Sequence, residues 1–170
     1  MSNRFFFDSN SFITPFHLYY APDIVPTFWS ALQPHLQQEI VLLDLVRDEL
    51  LKGNDWLVNT IKEWQDSQLL QIISHKDTEI IMYYGKILDY LQSCGKYKEE
   101  AISTWSNGKV ADAWLIASAI KYKATIVTFE RSSGPIVNLS KNAKIPDIAA
   151  HFNVPCITLF DFMRQQHITI

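Results

Sequence analysis

The sequence predicts an α/β protein built on a mostly parallel sheet covered by helices. Three observations predict it. Short apolar runs of strand length alternate with stretches of helical periodicity along the whole chain. The first run, residues 4–7, is aromatic after Arg4, as a strand buried on both faces would be. It ends in Asp8-Ser9-Asn10, which places a carboxylate at the carboxyl edge where open α/β sheets keep their chemistry.

The elements follow in order. A helical pattern succeeds Asp8. Residues 24–37 form an amphipathic helix with Phe28, Trp29 and Leu32 on one side, and Pro34 is expected to kink or end it. Residues 39–43, EIVLL, make a second strand, after which Asp44 is well placed to cap a helix over residues 45–52. Asn54-Asp55 opens a helix through Trp64. Residues 69–73 are ambiguous. Helices are predicted over residues 75–93 and 97–105. The clearest is 110–122, where Asp112, Leu115, Ile116, Ala119 and Ile120 share a face. Residues 124–129, ATIVTF, are an evident strand. A polar loop over 131–144 leads to a helix at 146–152, a strand at 154–159 and a helix at 160–166. Strands alternating with helices give right-handed crossovers, with all the strand ends at one edge.

One domain is expected over residues 1–170, with the helices of residues 55–106 as a candidate subdomain. No apolar run approaches membrane-span length, and Phe5–Phe7 is too short for a secretory signal, so the expected location is cytoplasmic. Cys94 and Cys156 lie far apart and are expected as free thiols. His17, His35, His75, His151 and His167 have no zinc-ligand spacing. The net charge is −3, but it is unevenly spread: −6 up to Gly95, +4 from Lys96 to Lys144, and −1 thereafter. A basic segment beside an acidic one suits a polyanion held near a cation site.

The candidate chemistry lies in the acids. Asp8 ends the first strand. Asp48 is expected to pair with Lys52 on a solvated face, whereas Glu49 falls on the packed side, where a carboxylate needs a partner. Asp112 tops the apolar face of the strongest helix. Thr128 and Glu130 end the ATIVTF strand, and Asp147 opens the next helix; either Glu130 or Asp147 would supply a fourth carboxylate. Gathered carboxylates repel one another unless a cation screens them, and hard oxygen ligands select Mg²⁺ or Mn²⁺. Such ions activate water for attack on a phosphodiester.

Four stretches, FFFDSNSFI, VRDELL, ADAWLIASAIKYKATIVTFE and KIPDIAAHFNVPCITLFDFM, give the chain a resemblance to the PIN-domain family, within a toxin-type PIN-like subfamily of ribonucleases. The resemblance spans Arg4 to Phe162. It implies a PIN-like three-layer fold, with a central mostly parallel sheet of four to five strands flanked by helices. It implies a Mg²⁺- or Mn²⁺-dependent endoribonuclease in which a metal-activated water attacks the phosphodiester. It carries the acids onto Asp8, Glu49 and Asp112, with Asn10 and Thr128 as supporting polar positions. Many PIN domains have Asp where this chain has Glu130, and the subfamily pattern also offers Asp147; the latter is slightly favoured for metal, the former as its support. Lys109, Lys121, Lys123, Arg131, Lys141 and Lys144 are candidates to hold the RNA backbone, and Trp105 to stack on a base. The family implies a protein antitoxin partner and a homodimer.

A haloacid-dehalogenase-type phosphatase would want Asp where this chain has Asn10, and DSNSFI has no glycine for a dinucleotide-binding turn. The alternative from another class is a catalytically inactive PIN-like module that binds protein or RNA.

Overall fold

The computed structural model describes residues 4–135 and 137–170, so that Met1–Asn3 of the opening stretch and Ile136 of the polar loop lie outside it. Five strands, β1 (Phe5–Phe7), β2 (Ile40–Leu43), β3 (Gln71–Ile73), β4 (Thr125–Val127) and β5 (Cys156–Ile157), form one sheet in the order β3-β2-β1-β4-β5. Every neighbouring pair is parallel. The ambiguous residues 69–73 thus become β3, an edge strand paired only with β2. The chain lays β2 and β3 on one side of β1, then crosses to lay β4 and β5 on the other. The gap between the carboxyl ends of β1 and β4 is therefore the switch point of the sheet.

Among the described residues nine α-helices accompany the sheet: α1 (Asn10–Thr14), α2 (Pro26–Gln38), α3 (Asp44–Leu50), α4 (Trp56–Asp66), α5 (Thr78–Ser93), α6 (Glu99–Trp105), α7 (Ala111–Tyr122), α8 (Ile145–His151) and α9 (Leu159–Gln165). The aromatic β1 run shows why there are three layers. Successive side chains point to opposite faces. Phe5 and Phe7 meet Phe162 of α9 with ring centroids 4.9 and 5.0 Å apart, while Phe6, pointing the other way, meets Tyr122 of α7 at 5.9 Å. All three phenylalanines are buried.

The helix α7 is buried almost all round, from Ala113 to Ala119, rather than along the single stripe its sequence suggests. It lies between the sheet and α5, so both of its sides need apolar residues. Residues 55–106 contribute β3 to the sheet and α5 to the covering of α7.

Caps set several boundaries. Asp55 accepts from the Val58 amide at 3.0 Å and starts α4 as expected. Asp77 does the same for α5, and Thr158 with Asp161 forms a reciprocal capping box on α9. Three expectations are corrected. Pro34 does not end α2, which runs on to Gln38; Pro34 faces solvent, where the carbonyl it leaves unpaired can be hydrated. Asp44 is the first residue of α3 rather than its cap, which falls on Leu43 without a side-chain hydrogen bond, and the Asp44 carboxylate reaches across to His75 after β3. Asp48 pairs with its neighbour Arg47 at 2.7 Å rather than with Lys52. Cys94 and Cys156 are free thiols.

Candidate active site

The register of the sheet builds the centre of the site. Phe7 on β1 lies opposite Val127 on β4, so the next residues, Asp8 and Thr128, leave the sheet side by side. The Asp8 amide donates to the Val127 carbonyl at 3.0 Å, which fixes its backbone. Thr128 Oγ1 donates to Asp8 Oδ2 at 3.0 Å, and Ser9 Oγ lies 3.5 Å from Oδ1. Both Asp8 (5% exposed) and Thr128 (1%) are buried, so this is a carboxylate held in the protein and not a turn residue in water.

Three further acids lie within electrostatic reach of this centre. Glu49, half-buried, comes from α3, which follows β2 without a connecting loop. Asp112 stands in the first turn of α7. Glu130 follows Thr128 by two residues, and its amide donates to Thr128 Oγ1 at 3.1 Å. The proximity has an electrostatic signature. Burial, opposed by the Thr128 hydrogen bond and reinforced by the charges of Glu130 and Glu49, pushes Asp8 up to about 6. Burial pushes Asp112 up to about 7, helped by the charges of Asp8, Glu130 and Glu49 and opposed by Lys144.

Glu130 is also tied on its other side. Lys144 Nζ donates to its Oε1 at 3.3 Å, and the Ile145 amide at the start of α8 donates to its Oε2 at 2.8 Å. Asp147 sits elsewhere in the same region. Its carboxylate accepts from the Ser132 hydroxyl and from the Ser133 amide at 3.1 and 3.2 Å, pinning the 131–144 loop. It is absent from the charges that move Asp8 and Asp112, whereas Glu130 acts on both. Glu130 is thus electrostatically joined to Asp8 and Asp112, while Asp147 is tied to the loop.

The remaining candidates are dispersed. Asn10 is exposed at the start of α1; Ser9 and Ser11 on either side of it are buried, and the Ser11 hydroxyl donates to the Val127 carbonyl at 2.8 Å and ties α1 to β4. Nothing in the sequence distinguishes Ser11 from a helix-start serine. Lys121 is paired with Asp77 at 2.6 Å, roughly 14 Å further along α7 than Asp112 at 1.5 Å per residue. Lys123 follows at that same far end, so neither lysine stands beside the acids. Arg131 and Lys144 flank the site, while Lys109 and Lys141 are exposed on neighbouring loops. Trp105 is 2% exposed and belongs to the core, which removes it as a stacking surface.

A hard divalent cation suits this donor set. Carboxylates dominate it, their mutual charge opposes ionisation, and Lys144 is the cation whose charge reaches Asp112. As they stand, however, no three His, Cys, Asp or Glu side chains among the described residues are grouped closely enough to hold a metal ion. No helix among them is long and apolar enough to cross a membrane.

A family model described as "Domain of unknown function (DUF4411)" matches residues 5–170. No curated protein sequence matches the chain. Two solved structures share the fold. One is a crystal structure of VapBC2 from Rickettsia felis bound to a DNA fragment from their promoter, with TM-score 0.54 and 16% identity, covering 91% of this chain and 97% of that one. The other is a crystal structure of DNA-bound VapBC from Salmonella typhimurium, with TM-score 0.53 and 13% identity, covering 92% and 98%. The fold is PIN-like, as the motifs implied.

Proposed function

The chain belongs to the DUF4411 family, and we propose that within it this protein is a divalent-metal-dependent ribonuclease that hydrolyses RNA phosphodiester bonds. The observation that carries this reading is the buried Asp8 carboxylate held by Thr128 at the switch point of a PIN-like sheet, with Glu49, Asp112 and Glu130 within electrostatic reach, so that burial and neighbouring negative charge raise Asp8 and Asp112. Mg²⁺ or Mn²⁺, when bound, supplies an activated water and offsets charge on the phosphoryl oxygens.

The residues take distinct roles in this reading. Asp8, Glu49 and Asp112 hold the ion, with Glu130 as the fourth acid. Thr128 fixes Asp8 through Oδ2 and leaves Oδ1 with only the long contact from Ser9. Asp147 shapes the loop beside the site rather than entering it. Arg131 and Lys144 meet the phosphates flanking the cleaved bond. No side-chain nucleophile is required. The nearby thiol of Cys156 is unsuited to the task, since burial and the charge of Glu130 push it up to about 12.

We further propose a protein antitoxin that covers the site, and a homodimer. Support for the antitoxin comes from the solved structures of the same fold, which are of VapBC2 and VapBC; the homodimer rests on the family resemblance alone.

The test is cleavage of single-stranded RNA by the purified protein in Mn²⁺, Mg²⁺ or EDTA. Cleavage is expected with either ion and not in EDTA. Asp112→Asn should lower it by more than the roughly 10- to 100-fold lost when a ligand's supporting partner is removed, with an unchanged circular dichroism spectrum. An intact fold that cuts nothing in either ion would instead mark a binding module.

A further inference from the structure

The acids account for the bond that is cut but not for how a flexible strand is held beside them. A group of aromatic side chains is joined to them through the chain. Phe129 sits in the chain between Thr128 and Glu130, and its ring stacks on Tyr19 at 6.0 Å with planes 20° apart. Phe160, from the start of α9, closes the group at 5.9 Å from Tyr19 and 6.3 Å from Phe129. Tyr19 is 50% exposed, whereas Phe129 and Phe160 are half-buried beneath and beside it.

The backbone holds Tyr19 in this place. After α1 the chain runs without a break into a π-helical turn, Pro15–Tyr19, closed by a hydrogen bond from the Tyr20 amide to the Pro15 carbonyl at 2.7 Å. Such turns are often found at functional sites. Tyr20 points inward and stacks on buried Phe28 at 4.3 Å, and Trp29 Nε1 donates to the Tyr20 carbonyl at 2.7 Å. With Tyr20 anchored on both counts, its neighbour Tyr19 is presented to solvent in a fixed position. The segment begins directly after Asp8 and Ser9, so one short stretch of chain carries both a central acid and the exposed ring.

We propose that Tyr19, backed by Phe129 and Phe160, is a stacking platform for one unpaired base of a single-stranded RNA whose neighbouring phosphate lies at the acids. The inference rests on the ribonuclease reading for its location and on the aromatic geometry for its chemistry. An exposed ring with an aromatic backing offers a base face what it needs, and stacking accepts every base. Exposed Arg131, two residues after Phe129, supplies positive charge for the adjoining backbone. A depression of about 240 Å³ lies at the same strand end, lined by Thr128, Glu130, Arg131, Ser132 and Thr158. A duplex would keep its bases stacked inside and could not use the ring.

The experiment compares two fluorescent single strands of equal length and charge, an oligouridylate and its abasic counterpart, binding in EDTA at low salt. The wild-type protein should prefer the strand that carries bases. Tyr19→Ala should bind that strand about 5- to 150-fold more weakly, the range expected for loss of one base stack, and should bind the abasic strand as the wild type does. Tyr19→Phe should restore the preference. Equal weakening on both strands, no effect of Tyr19→Ala, or no strand binding by the wild type would each overturn the platform. Cleavage in Mn²⁺ is read separately. Binding that depends on Tyr19 without cleavage sinks the nuclease reading and leaves the platform, whereas cleavage indifferent to Tyr19→Ala does the reverse.

Discussion

Replacing Asp8 by Asn should make the metal-free protein more stable at pH 8 and leave it unchanged in acid. The reason is the buried charge. Asp8 is raised from 3.8 to about 6 by burial and by the charges of Glu130 and Glu49, with Thr128 opposing. The folded protein therefore keeps the Asp8 proton at pH values where the unfolded chain has released it. Stability falls as pH climbs from 3.8 to about 6 and stays reduced above that range. At about 1.36 kcal/mol per pH unit, the wild type forfeits roughly 3 kcal/mol at pH 8. Asn carries no charge and keeps an oxygen that can accept from Thr128, so the variant avoids the loss without leaving a buried hydroxyl unpaired. Urea unfolding in EDTA at about pH 3.5, 6 and 8 measures it. The two proteins should coincide at the lowest pH and separate by up to ~3 kcal/mol at the highest. Asp112 should release its proton more easily in the variant, because Asp8 is one of the charges that raise it, and the two titrate as a coupled pair. Saturating Mn²⁺ should narrow the gap by favouring the wild type. A variant less stable than wild type at pH 8, or a difference independent of pH, would refute the picture of an uncompensated buried carboxylate.

Two other predictions concern the supports of the site. Thr128→Val removes the hydroxyl that holds Asp8 and accepts from the Glu130 amide; Mn²⁺ affinity, read by isothermal titration, should fall about 10- to 100-fold with the fold retained. Asp44→Asn weakens the tie between the ends of β2 and β3, where Asp44 accepts from the amide and ring of His75. Burial alone would raise Asp44, but the His75 hydrogen bonds outweigh it and hold the carboxyl below 3.8, so its contribution is present above that pH and lost in acid. Thermal unfolding should show Asp44→Asn destabilised at pH 7, with the difference fading as pH drops well below 3.8.

Much of this architecture is written locally in the sequence. The aromatic run of β1 could only be a buried strand, and Asp8 then had to stand at its carboxyl edge. Asp55 announces α4 because its cap lies three residues from the amide it serves. Glu49 and Asp112 were legible as acids on the packed side of helices, and Thr128 as a strand-end polar residue. What escaped depends on pairings far apart in the chain. The three residues of β3 have little pattern of their own, and they become a strand only through β2. His75 claims Asp44 across 31 positions. The choice between Glu130 and Asp147 turned on how the 131–144 loop folds back, with Lys144 and Ile145 facing Glu130 while Ser132 and Ser133 face Asp147. The burial of Trp105 and the exposure of Tyr19 are likewise tertiary outcomes, which residue type alone does not decide.

The most direct test of the central claim is a crystal of the protein soaked in Mn²⁺ and read by anomalous scattering at the strand ends. The account predicts a manganese peak between Asp8 and Asp112, with Glu49 or Glu130 among its ligands and Asp147 still on Ser132 and Ser133. No peak at saturating Mn²⁺, with Asp8 and Asp112 unmoved and Glu130 still on Lys144, would contradict it.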